Sequence, residues 1–114
     1  MTRSPQEVFA DHGERLATGD LDHIAANYTE DAVLLTPAGA FHGRDGVREV
    51  IGRLLADLPD ADWRLTPHFA GDVLLLEWTA ATASRQVTDG VDTFVFRDGR
   101  ISAQTVRYTL TDRT

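Results

Sequence analysis

Gly90 to Tyr108, GVDTFVFRDGRISAQTVRY, is the stretch from which the rest of the chain can be placed. Apolar residues alternate on both sides of Asp98-Gly99, the pattern of two antiparallel strands joined by a two-residue turn. Asp92 interrupts the alternation. With a period of two it shares a face with Phe94 and Phe96, so if that face is buried a carboxylate sits among aromatic rings. Burying a charge is costly, and Asp92 therefore becomes the leading candidate for chemistry.

Working outward, everything from Trp63 onward is strand-like: Trp63 to Phe69, Val73 to Ala83, Gln86 to Arg97 and Arg100 to Leu110, punctuated by Ala70-Gly71-Asp72 and the Asp98-Gly99 turn. Gly90 reads as a bulge that bends a long strand. Before Trp63 the period changes to that of helices. Ser4-Pro5-Gln6-Glu7 is a capping box that starts a first helix, with Val8, Phe9, His12 and Leu16 on its apolar stripe and Gly19 to end it. Asp20 caps a second helix carrying Leu21, Ile24 and Tyr28 and closing at Glu30-Asp31. Val33 to Thr36 and Ala40 to His42 are short strands around Pro37-Ala38-Gly39. Arg44 to Leu58 is the most regular helix, with Val47, Val50, Ile51, Leu54, Leu55 and Leu58 on one face. Helices first and strands last predict a single α+β domain, residues 1–114, in which a curved antiparallel sheet packs against N-terminal helices.

Composition narrows the function. The 114 residues carry a net charge of −7, and their eleven basic residues are all arginine, scattered singly along the chain. A nucleic-acid partner is not expected, because phosphate binding relies on basic patches. Without lysine there is no Schiff-base or Ser-Lys mechanism, and without cysteine there is neither a disulfide nor a thiolate nucleophile. Lacking a long apolar run and a signal-peptide start, the chain is expected to be cytoplasmic and not to engage a membrane. His23, His42 and His68 have no metal-ligand spacing, and phosphate-loop and nucleophile-elbow motifs are absent, so no metal and no cofactor are expected.

Four segments in order resemble the SnoaL-like branch of the nuclear transport factor 2-like superfamily, which includes ketosteroid isomerase and limonene epoxide hydrolase. They are Gly19-Asp20-Leu21-Asp22, Tyr28-Thr29-Glu30-Asp31-Ala32-Val33, Phe41-His42-Gly43-Arg44-Asp45-Gly46-Val47-Arg48, and Gly90-Val91-Asp92-Thr93-Phe94 with the turn that follows. The resemblance implies a cone-shaped, cystatin-like fold with a hydrophobic pocket between sheet and helices, an apolar small molecule as partner, and a homodimer through the outer sheet face. Asp92 matches the strand aspartate that ketosteroid isomerases keep protonated to donate to the substrate oxygen. His12 falls where those enzymes have a tyrosine, and Thr36, before Pro37, where they have the general base. An Asp-Arg-Asp set of the epoxide-hydrolase kind is not found, since Arg107 has the parity opposite to Gln104, Val106 and Tyr108.

Asp92 and His12 are accordingly the expected catalytic residues, with Tyr28, Thr36, Ile51, Trp78, Phe94, Gln104 and Tyr108 lining the pocket. Asp92, its pKa raised by burial, would donate to or protonate a carbonyl oxygen while His12 or a water takes the proton. Isomerisation, cyclisation and dehydration of a polyketide- or steroid-like substrate all fit. The competing expectation is a non-catalytic protein whose pocket sequesters a ligand, or a dimerising accessory protein with a filled core; a closed pocket with Asp92 salt-bridged would favour this reading.

Overall fold

A computed structural model describes residues 2–113. Helix α1 spans Pro5–Thr18 and begins as expected: Glu7 N donates to Ser4 Oγ at 3.1 Å and Ser4 N to Glu7 Oε1 at 2.9 Å. Gly19 ends it in the left-handed conformation, φ 71°. Helix α2 is only Leu21–Ala25, capped by the Asp20 carboxylate. The chain then runs through β1 (Tyr28–Thr36), β2 (Gly39–His42), α3 (Gly43–Asp57), β3 (Asp62–Ala70), β4 (Val73–Ala81), β5 (Arg85–Arg97), β6 (Arg100–Arg107) and a two-residue β7 (Thr111–Asp112). No helix among the described residues is long and apolar enough to cross a membrane.

One expectation fails at the second helix. Tyr28 is the first residue of β1, not the last apolar position of α2. Its spacing from Leu21 and Ile24 suits a helix, but the backbone is claimed by the sheet: Asn27 O accepts from Ile101 N at 3.0 Å, and Tyr28 lies opposite Ile101. An aromatic followed by β-branched Thr29 is content in a strand, and tertiary pairing outweighs weak helix propensity.

The strands lie in the order β2-β1-β6-β5-β4-β3, with β7 pairing β5. Consecutive hairpins build β3 to β6, as their alternation predicts. The β1–β6 pair is parallel, so the sheet is mixed rather than wholly antiparallel. At the tip of the β5–β6 hairpin, Asp98 and Gly99 both have positive φ, 53° and 74°, the geometry of the mirror-image turn that matches strand twist.

The pleat sorts the side chains. On the inner face Leu74, Leu76, Trp78, Phe94, Phe96 and Ile101 are at most 6% exposed, and α1, α2 and α3 cover them with Val8, Ile24, Val47 and Ile51. Between Trp78 and Ala80 of β4 the register slips against β5, where Gly90 and Val87 are the partners. The extra residue on β5 bends the sheet around the helices and opens a space between them. The edge strand β3 is largely exposed and accommodates Pro67, whose missing N–H an edge tolerates.

Candidate active site

A pocket of about 210 Å³ lies between α1, α3 and the inner sheet face. Its floor is built by β5 and β6. Asp92 shares the inner face with Phe94, as parity required, and is only 5% exposed. Its partners are neutral. Trp78 Nε1 donates to Oδ1 at 3.0 Å and Gln104 Nε2 to Oδ2 at 3.0 Å.

Each donor has its own reason for being there. Gly90 faces Trp78 across the β4–β5 pair, and a Cβ on Gly90 would stand 2.2 Å from Trp78 Cδ2. The indole therefore lies over the bare glycine, with its N–H two residues along β5 at Asp92. Gln104 is 2% exposed, and its amide is oriented by Tyr28, whose hydroxyl donates to Oε1. That leaves Nε2 to point at Asp92. Tyr28 is fully buried, and its phenol is held well above its ordinary pKa by burial and then by the Asp92 charge, so it remains a donor.

Burial raises the Asp92 pKa to about 6, and the bonds from Trp78 and Gln104 pull the other way. The outcome is a carboxyl group poised near neutrality with one donor already on each oxygen. Such a group accepts a proton more readily than a solvated carboxylate near pH 7 and gives it back within the same site.

His12 lines the same pocket and is 2% exposed. Its ring packs edge-on to Tyr28 and Phe94, with centroids 5.7 and 5.6 Å away. Burial, aided by Arg15, lowers its pKa to about 4, so the imidazole is neutral near pH 7. Nδ1 is buried with no hydrogen-bond partner among the described residues.

Of the expected lining residues, Ile51, Trp78, Phe94 and Gln104 are at the pocket wall together with Asp92 and His12. Tyr28 stands one step behind, acting through Gln104. Thr36 and Tyr108 are not in this pocket. They line a second one of about 270 Å³ bounded by Phe41, Val50, Arg53 and Val106. Thr36 Oγ1 accepts from Ala38 N at 3.0 Å, spent on its own turn, as hydroxyls beside turns commonly are. Tyr108 lies beyond the end of β6, where strand parity no longer governs direction. Its ring backs Trp78 at 5.5 Å while its hydroxyl donates to Asp57 Oδ2 at 2.9 Å.

Gly13, Trp63 and Leu65 also line the Asp92 pocket and are not among the residues expected there from sequence. Alternation of Trp63 and Leu65 with Arg64 and Thr66 is the available signal for the strand pair; nothing marks Gly13. Among the described residues no three His, Asp or Glu side chains come together as a metal site.

The sequence profile of the SnoaL-like domain matches residues 9–104. No curated protein sequence matches the chain. Among solved structures, a de novo designed protein with a curved β-sheet superposes with a TM-score of 0.79 at 17% identity, covering 96% of this chain and 88% of that one. An NTF2-like protein of unknown function from Burkholderia xenovorans LB400 gives 0.72 at 19% identity, covering 92% and 82%. A candidate ketosteroid isomerase from Kribbella flavida DSM 17836 gives 0.70 at 17% identity, covering 100% and 85%. At these identities the likeness concerns the fold.

Proposed function

Because the chain belongs to the SnoaL-like domain family, we propose that it binds a neutral, apolar carbonyl compound in the Asp92 pocket and moves a proton on it without a cofactor, as an isomerase, cyclase or dehydratase. One observation carries this reading: a buried carboxyl group with neutral partners and a pKa near 6 on the floor of an apolar pocket. A filled core with a salt-bridged aspartate would instead have favoured an accessory role.

The two donors on Asp92 reassign its part. Trp78 and Gln104 occupy one acceptor site on each oxygen and support the ionised form, so Asp92 serves as base and shuttle, not as a fixed acid. It takes the proton from the carbon beside the carbonyl and returns it elsewhere on the same ligand. Neutral His12 donates a hydrogen bond to the oxygen on which charge develops, as neutral imidazoles can.

A two-ring β,γ-unsaturated ketone is a direct test, since its conjugated isomer absorbs in the near ultraviolet and exchange beside the carbonyl can be followed by NMR in heavy water. Asp92→Asn should slow both readouts by about 10²-fold or more, the usual scale for a lost general base. For the wild type, kcat/KM should climb with pH and level off above about 6, where Asp92 is ionised. An unchanged rate in Asp92→Asn would remove Asp92 from the chemistry. A ketone that binds without exchange or isomerisation would point to the ligand-binding alternative. The outer sheet face is proposed to pair with a second copy of the chain.

A further inference from the structure

The residues around the pocket fall into two groups by exposure. Asp92, Gln104, Phe94, Trp78 and His12 are nearly sealed, whereas Gly13 and Ala17 of α1 and Trp63 and Leu65 of β3 are open to solvent. Trp63 is 37% and Leu65 48% exposed, although they pair with Ala80 and Trp78 and so share the inner face. Large apolar side chains on an uncovered inner edge, leading to a buried carboxylate, describe an opening. Trp63 meets Trp78 at 5.3 Å, which joins the rim to the group that holds Asp92.

On the facing helix, Gly13 and Ala17 are one turn apart and form a notch. A glycine inside a helix lowers its stability, and here neither backbone nor packing asks for one. Its φ is not in the left-handed region, and a Cβ added to it would meet nothing within 4 Å. Gly46 of α3 is different, since a Cβ there would lie 2.9 Å from the Phe41 backbone. What Gly13 supplies is empty space beside the pocket. His12, on the preceding residue of α1, lines the cavity behind this notch.

We infer that the gap between Gly13-Ala17 and Trp63-Leu65 is the mouth of the pocket, that Gly13 keeps it open, and that the cavity behind it takes compact neutral molecules of one or two rings. The size follows from volume. An apolar cavity of about 150 Å³ accepts a benzene, and this one, at about 210 Å³, has room for a second small ring but not for a four-ring skeleton. The inference rests on the pocket being a small-molecule site and narrows the class of carbonyl compound it takes.

Both tryptophans of the chain line this pocket, so their fluorescence reports binding directly. The probes are decalone, a two-ring ketone, and progesterone, a four-ring one. Wild-type protein should titrate saturably with decalone and at least tenfold more weakly with progesterone. Gly13→Leu should weaken decalone at least tenfold, and Ala17→Leu should do the same. Glu14→Leu, which places the same leucine on the solvent side of α1, should bind as wild type. Thermal melts identify a variant that has failed to fold, in which case the other notch variant decides. Wild-type binding by the folded notch variants, equal affinity for both ketones, or no decalone binding would each overturn the inference. Turnover plays no part in these titrations: an inert Asp92 with intact decalone binding would defeat only the acid-base reading.

Discussion

At the scale of single residues, Asp92 shows what strand parity can and cannot disclose. Its place beside Phe94 on a buried face follows from alternation alone. Its partners do not, because Trp78 reaches it across a bulged register and Gln104 is turned toward it by a tyrosine 76 positions away in sequence. A stability prediction follows from the same network. The folded pKa of Asp92, about 6, is above its ordinary value of 3.8, so the folded state holds the proton more tightly. The resulting stabilisation is fully present below about pH 4 and is lost as pH rises to 6. An asparagine side chain has no such proton to lose. The amide introduced by Asp92→Asn would also fit, since Gln104 can reverse its own amide to accept from the new NH2 and donate to the Tyr28 oxygen. From about pH 4 to pH 8, the stability of Asp92→Asn relative to wild type should improve by on the order of 2 kcal/mol. Denaturant unfolding at the two pH values measures this, and a constant difference would mean that the carboxyl group is not desolvated.

Among the elements, those with local signals are legible and those set by distant partners are not. Ser4, Asp20 and Asp98-Gly99 carry their instructions within three residues, and α1, α2 and the hairpin start or turn where those residues say. Tyr28 carries a helical spacing but obeys Ile101, and the parallel β1–β6 pairing has no local sign because some seventy residues separate the strands. Gly90 reads as a bulge, and the register does slip beside it. Its tighter role is to leave room for the Trp78 ring. Gly90→Ala would force a methyl to 2.2 Å from that ring and displace the indole from Asp92. Overpacking of this kind costs about 1–3 kcal/mol. Alongside the lower melting temperature, near-ultraviolet circular dichroism and tryptophan fluorescence should change as the indole moves. Wild-type spectra together with a loss below about 0.5 kcal/mol would show that Trp78 is not held by this contact.

For the whole molecule, the inner and outer faces of one sheet are given different tasks by a period-two code. The inner face, with its bend and its pocket, can be inferred from that code because each strand repeats it, and a designed protein reaches the same shape at 17% identity. The proposed mouth of the pocket is not written in the repeat, because Gly13 lies on a helix where the repeat is silent. The outer face carries a further consequence. Register places Val73 opposite Val95 and Leu75 opposite Thr93, with Leu35 opposite Thr105 on the same side of the sheet. Leu35, Val73, Leu75 and Val95 are 37–48% exposed, four large apolar side chains on one face of the sheet. An apolar patch of this kind marks an interaction site, and the partner proposed for it is a second copy of the chain. In a two-fold dimer any substitution occurs twice across the interface. Leu75→Glu would thus set two carboxylates into the contact, while changing a side chain that the isolated chain already leaves 43% exposed. Light scattering after size exclusion should find the wild type dimeric and Leu75→Glu monomeric, with the far-ultraviolet spectrum preserved. A wild type that remains monomeric at concentrations of tens of micromolar would leave the outer face without this partner.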